Sequence, residues 1–286
     1  MKLQKALSLT LGAVLLTSAL ALPASAMKKV GDVKVPYGTP KIDGTIDAAE
    51  WKAASSFTVD ANTAKPWSGK IPADFSAKVQ VLWDNNNLYV AGTVKDANVT
   101  CSAEGKYDKD AFQLSIDLGQ TFYGTTESRA IFYSFGCYAD GTGMIQRQES
   151  KNNAVVMDGE KGVAMKTKKT ADGWNYEIAI PFAMLKEDCK IKSGKDVAVA
   201  AGTKLNVLAC YLDYGTNGKL ATAFGTTATD ENTKFDWGPK DHGITLTLEA
   251  KKAAPAAAPA TADPAALAIL AAAASGAAVV VSKKRK

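Results

Sequence analysis

AKVQVLWDNNNLYVAGTVKD, residues 77–96, is two alternating runs joined by Asp84-Asn85-Asn86-Asn87. Val79, Val81 and Trp83 share one side of the first run, and Leu88, Val90 and Val94 share one side of the second. Lys78, Gln80 and Lys95 fall among the alternates. A period of two with one apolar side is the mark of a strand with one buried face, and Asp/Asn runs supply turns. The stretch therefore predicts a β-hairpin lying on a core.

The same grammar continues downstream. Phe112, Leu114 and Ile116 alternate with Gln113, Ser115 and Asp117, and Ile131, Tyr133 and Phe135 alternate with Phe132 and Ser134, while Trp174, Tyr176, Ile178 and Ile180 share one side of a later run and Ile244, Leu246 and Leu248 alternate in the last. Leu205 to Asp213 is a mostly apolar run, and Gly136 to Gly143 reads as a hairpin turn. Helix signals are confined to Asp47–Ala54 and Pro181–Leu185, a turn or two each. Nothing matches the crossover helices of a parallel sheet, so the pattern predicts an all-β chain folded as an antiparallel β-sandwich, jelly-roll-like.

The two ends read as addresses rather than fold. Residues 1–26 have a basic start (Lys2, Lys5), an apolar stretch from Ala6 to Leu22 and the small residues Ala24-Ser25-Ala26, as in a signal peptide. Residues 250–263 form an Ala/Pro linker. Residues 264–286 hold the uncharged stretch Pro264 to Val281 and end in Lys283-Lys284-Arg285-Lys286, the pattern of an apolar anchor helix with a stop-transfer tail. Ala258-Pro259-Ala260-Thr261-Ala262 resembles a degenerate sortase sorting motif with Thr261 at the cleavage point. These ends predict an exported domain, residues 27–249, held by the bacterial membrane or cell wall on the extracellular face.

Of the formal +5, the leader contributes two charges and the last four residues contribute four, which leaves the domain between them at about −1. A near-neutral domain gives no electrostatic footprint for nucleic acid and suits a neutral ligand. Cys101, Cys137, Cys189 and Cys210 could form two disulfides in three pairings, and their spacing gives no metal pattern.

Tyr37-Gly38-Thr39-Pro40-Lys41-Ile42-Asp43-Gly44-Thr45-Ile46-Asp47 and Trp51, followed by Val81-Leu82-Trp83-Asp84, Leu88-Tyr89-Val90 and Val94-Lys95-Asp96, resemble carbohydrate-binding module family 9. The resemblance continues through Tyr107-Asp108-Lys109-Asp110-Ala111-Phe112-Gln113 and Gly173 to Pro181 into Trp237 to Leu248, and spans about residues 35–249. It implies a non-catalytic β-sandwich whose best-known relatives grip chain ends of plant polysaccharides between two facing tryptophans. A pyranose stacks its apolar face on an aromatic ring and presents equatorial hydroxyls to amides, carboxylates or guanidinium groups. Carried over by position, the two rings fall at Tyr107 and Trp237, and the acidic residue falls at Gln113. The nearest counterparts of the arginine are Arg129 and Tyr133. Asp110 orients the site or its loop. The amides that the family places on the strand near Leu205–Asp213 are replaced here by apolar residues and Cys210.

The resemblance also implies that no cofactor is required and that a structural calcium ion could be held by oxygens of Asp43 and Asp47. Turn capping by Asp43 and helix capping by Asp47 is the alternative use of the two. Trp83, Trp51 and Trp174 are predicted core residues, and Trp67, in the loop-like Lys65-Pro66-Trp67-Ser68-Gly69, is a reserve stacking residue. Asp108 and Asp110 stand too close in sequence, without a partner motif, to serve as a glycosidase pair. Two further readings stay open: a surface structural or adhesive protein without a working sugar slot, and a haem-binding electron-transfer domain using His242 with Met144 or Met165.

Overall fold

The computed structural model describes residues 30–101, 109–121, 131–136, 144–148, 155–226 and 243–253. In chain order the strands of the first half are β1 (Val33–Val35), β2 (Ser55–Asp60), β3 (Ala64–Ser68), β4 (Ser76–Trp83), β5 (Asn87–Lys95), β6 (Ala111–Leu118) and β7 (Ile131–Gly136). They are followed by β8 (Met144–Gln148), β9 (Val155–Met157), β10 (Ala164–Lys169), β11 (Gly173–Pro181), the helix α1 (Phe182–Ser193), β12 (Lys204–Tyr214), β13 (Leu220–Thr226) and β14 (Ile244–Leu248).

The hairpin read from residues 77–96 forms as β4 and β5, in register from Ser76↔Lys95 to Trp83↔Leu88. Asp84 builds its turn. Its Oδ1 accepts the backbone N–H groups of Asn86 and Asn87 at 2.8 and 2.9 Å, while its Oδ2 accepts the hydroxyls of Tyr89 and Thr39 at 2.7 and 2.9 Å. A short carboxylate that mimics a backbone turn is why this polar run reverses the chain. The hairpin is the middle of a five-stranded sheet in the order β10-β11-β5-β4-β2. The second sheet has nine strands: β1-β14-β12-β6-β7-β8-β9 in one path, with β13 pairing both β12 and β3. Strand β12 is long enough to pair β14 through Lys204–Val207 and β13 through Cys210–Tyr214 on one edge, and β6 on the other.

The core lies between the sheets and contains the apolar alternates expected of it, among them Val79, Val81, Trp83, Leu88, Val90 and Val94 facing Phe112, Leu114 and Ile116. Tyr176 crosses from β11 to stack on Phe112, with ring centroids 4.7 Å apart, and shares a 2.7 Å hydroxyl–hydroxyl hydrogen bond with Tyr211. Its ring lies over Gly92, where a Cβ would meet the Tyr176 ring at 2.1 Å. Glycine is the residue that admits this contact.

Several expectations are corrected. The sandwich is not wholly antiparallel, because β1 runs parallel to β14. The turn or two expected after Pro181 is a 12-residue helix, α1, closed by Gly194 in the left-handed region at φ 72° with its N–H on the Lys190 carbonyl at 2.9 Å. Its charged run concealed it, because Asp188 is buried there with Arg147. Cys189 and Cys210 are buried free thiols, so two disulfides do not form, although Cys101 is disulfide-bonded. Trp83 and Trp174 are core residues as expected, at 4% and 1% exposure. Trp51 is buried too, but on the outer side of the five-stranded sheet, with Leu82, Tyr89, Ala91 and Ala179.

Glu177 holds that outer cover in place. It projects from β11 away from the core and accepts the Trp51 indole N–H at 2.8 Å and the backbone N–H groups of Gly44 and Asp43 at 2.8 and 3.2 Å. Gly44, at φ 86°, supplies the left-handed turn that aims these amides. The stretches expected to form a signal peptide, the linker beyond Ala253 and an anchor with Thr261 lie outside the described residues. Among the described residues no helix is long and apolar enough to cross a membrane.

Candidate functional site

The outward side of the nine-stranded sheet carries Gln113. Register aligns Gly225, Cys210, Gln113, Ser134 and Gln146 in one row across β13, β12, β6, β7 and β8. Period-two alternation sets this, since Phe112 and Leu114 on either side of Gln113 point into the core. Gln113 donates its side-chain N–H to the Ser134 hydroxyl at 2.8 Å and is 4% exposed. Ser115, one step along β6 on the same side, has a buried hydroxyl with no hydrogen-bond partner among the described residues. A second row, Ala223, Leu212 and Ala111, makes a small apolar cluster beside the first. The floor is therefore half amide and hydroxyl, half apolar.

The proposed site residues separate into three groups. Gln113 and Asp110 lie three residues apart at the head of β6. Asp110 is 1% exposed and ties loop to sheet: its Oδ1 accepts the Tyr214 N–H at 2.7 Å and the Thr100 hydroxyl at 3.1 Å, and its Oδ2 accepts the Thr100 N–H at 2.6 Å. Tyr133 is not brought to Gln113: it faces the core, 1% exposed, and donates its hydroxyl to Asp188 of α1 at 2.8 Å. Burial beside the Asp188 charge pushes the Tyr133 phenol well above its ordinary pKa. Tyr107, Trp237 and Arg129 lie outside the described residues, as does His242, while Met165 is buried in the core.

Asp43 and Asp47 act as local caps. Asp43 accepts the Thr45 N–H at 2.9 Å and pairs with Lys41 at 2.9 Å, and Asp47 accepts the Ala49 N–H at 2.6 Å. Among the described residues the acidic group with metal-binding geometry is a different one, Asp96, Asp110 and Asp213, whose carboxylate oxygens lie within 4.8 Å of one another. It joins the end of β5 to the head of β6 and the end of β12. No hydrogen bond from the described residues reaches the Asp213 carboxylate, which is 6% exposed. Burial, with the Asp96 charge added, raises the Asp110 pKa to about 7. Burial and the charges of Asp96 and Asp74 raise that of Asp213 to about 6. Three crowded carboxylates need either a proton or a cation among them, and an all-oxygen set with a free buried acceptor suits a hard divalent ion such as calcium.

The family described as carbohydrate family 9 binding domain-like matches residues 42–237. The chain belongs to this family. Among the curated proteins that a family 9 domain of this kind resembles are endo-1,4-beta-xylanase C of Paenibacillus barcinonensis, 29% identical over 163 residues, and exoglucanase XynX of Acetivibrio thermocellus, 38% identical over 150 residues. The matches cover 57% and 52% of this chain but only 13% and 12% of those two proteins, so the chain corresponds to a small part of each. Among solved structures, a family 9 module from Caldicellulosiruptor kristjanssonii in complex with cellotriose superposes with a TM-score of 0.53 at 19% identity, covering 80% of this chain and 98% of that one. The likeness shows the same fold.

Sequence reading of this family 9 domain missed two features of the site. Gln146 brings an amide to the Gln113 row from β8, whereas amides were sought on β12. The register of β8 against β7 carries no signal local to its own sequence. Arg147, which the sequence pattern did not single out, lies directly across from Tyr133 in register. Arg147 is turned inward and committed to Asp188.

Proposed function

We propose that the chain is a non-catalytic carbohydrate-binding protein of the bacterial cell surface. In this reading the signal-like leader exports it, the C-terminal apolar stretch and basic tail hold it at the membrane or wall, and the domain binds polysaccharide. Tyr107 and Trp237 stack on the two faces of a sugar ring, and Gln113 helps to set its orientation. A cation on Asp96, Asp110 and Asp213 fixes the loop that leads into β6. The observation that carries the reading is membership of a binding-module family across residues 42–237. Solved family 9 modules with cellotriose and with glucose support a glucose-type ligand.

The test is titration of the full chain with cellotriose and a glycan panel, repeated with Trp237→Ala and Tyr107→Ala. Each substitution is expected to cost about 1–2 kcal/mol of binding and to leave the melting temperature unchanged. Equal affinity in all three proteins would remove the stacking slot. A second reading, an adhesive protein that keeps the sandwich without the slot, is favoured by one observation: Leu208, Cys210 and Leu212 present a buried apolar strip where a sugar site needs polar groups. No saccharide binding by the unsubstituted chain would select it.

A further inference from the structure

A groove of about 740 Å³ lies on the opposite side of the sandwich, on the outer side of the five-stranded sheet. Its volume is within the range of roughly 300–1,000 Å³ typical of ligand sites. Cross-strand register places Thr58, Lys78, Thr93 and Asn175 in one row across β2, β4, β5 and β11, and Lys168 continues that row on β10. Lys95 stands diagonally from Lys78, about 7–8 Å away by strand geometry, and Lys52 enters from the covering segment.

Charge and hydrogen bonding are both left open there. Among the described residues no carboxylate lines the groove, and Lys52, Lys78 and Lys95 are in no ion pair. Asp60, at the end of β2 on the same side, is occupied by the N–H groups of Asn62 and Thr63 at 2.8 and 3.0 Å. The side-chain oxygen of Asn175 is buried with no hydrogen-bond partner among the described residues, an acceptor waiting for a donor. The ring bordering the groove, Trp51, is 2% exposed and its N–H is spent on Glu177, so no aromatic platform is offered. Stacking on the apolar face of a neutral sugar is therefore excluded, and so is a single-stranded nucleic acid, whose bases need rings to stack on. What remains is a ligand that carries repeated negative charge together with hydroxyl donors.

We propose that this groove binds an acidic polysaccharide, a chain of uronic acid residues, through ion pairs with Lys52, Lys78 and Lys95 and a hydroxyl hydrogen bond to Asn175. The site is separate from the Gln113 row and does not depend on it.

Affinity electrophoresis of the full chain in gels containing polygalacturonate tests this, with cellotriose titration of the same proteins run in parallel. The chain is expected to be retarded. The Lys78→Gln/Lys95→Gln variant should weaken binding by at least about tenfold, and Asn175→Leu by about fivefold. About 0.5 M salt should abolish the retardation. Cellotriose affinity and melting temperature should stay the same in these variants, which separates failure of this groove from failure of the Gln113 site. The proposal is overturned by absence of retardation, or by equal retardation of both variants. Retardation by a polyol-phosphate polymer but not by polygalacturonate would overturn the uronic acid assignment. Equal retardation by dextran sulfate, unaffected by Asn175→Leu, would reduce the groove to a simple ion exchanger.

Discussion

The two outward sides of the sandwich begin from the same sequence pattern and end differently. On the nine-stranded sheet the outward row Cys210, Gln113 and Ser134 is buried, at 0%, 4% and 2% exposure. On the five-stranded sheet the outward row Thr58, Lys78 and Thr93 is exposed, while one turn away Ala91 and Glu177 are sealed under Trp51 at 0% exposure. Alternation decides which side of a strand a residue takes. Whether that side is wet depends on segments remote in sequence, and here one carboxylate, Glu177, decides where cover ends and groove begins.

The strongest way to break this contrast is to remove Glu177. Glu177→Ala orphans the Trp51 indole N–H and two backbone N–H groups in a buried place, and is expected to cost about 3–5 kcal/mol. That corresponds to roughly 6–20 °C in melting temperature for a domain of this size, read by calorimetry. Lys78→Gln, on the wet part of the same sheet side, should leave the melting temperature unchanged. An equal loss in both would deny the boundary.

The next effect sits where the two sheets meet. Burial and crowding raise the folded-state pKa values of Asp110 and Asp213 to about 7 and about 6, well above the ordinary carboxylate range. The folded state therefore holds protons more tightly than the unfolded state, and the stability these groups contribute is present below about pH 4 and lost as pH rises through 6 and 7. In the presence of a chelator the melting temperature should fall by about 5–10 °C from pH 5 to pH 8. Added calcium should reverse the fall, and Asp213→Asn should flatten it. A pH-independent melting temperature in chelator would contradict the crowding of these carboxylates.

Two smaller changes sharpen the division between inward and outward residues. Tyr133→Phe removes the hydrogen bond to Asp188 and should cost about 1–2 kcal/mol in denaturant unfolding while cellotriose affinity stays constant, as befits an inward side chain. Ser115→Ala removes a buried hydroxyl that has no partner and should be neutral or stabilise by up to about 1 kcal/mol. A clear loss of stability in Ser115→Ala would mean that the hydroxyl has a partner after all.

Much of the architecture was legible because alternation is a local signal. The β4–β5 hairpin, β6, β7, β11 and β14 each announce their inward residues within a few positions, and Asp84 announces the turn. What was not legible is what pairs over distance. β1 is three residues long and gains its identity from a partner more than 200 residues away, with Val33 opposite Leu246. Glu177 reads as a solvated alternate until a segment 126 residues earlier closes over it. The acidic group draws Asp96, Asp110 and Asp213 from the ends of three different strands, so no spacing motif could mark it. Outward apolar residues such as Leu82 and Tyr89 were the available hint, since a strand exposed on one side has no reason to carry them.

The placement of β14 between β1 and β12 has a mechanical consequence. A load applied just after Glu249 and opposed elsewhere in the sandwich pulls along the strand, so the ladders on both its edges are sheared together rather than unzipped one bond at a time. Such a joint resists tugging far better than its five residues would suggest, and single-molecule stretching from the C-terminal side would measure the rupture force directly.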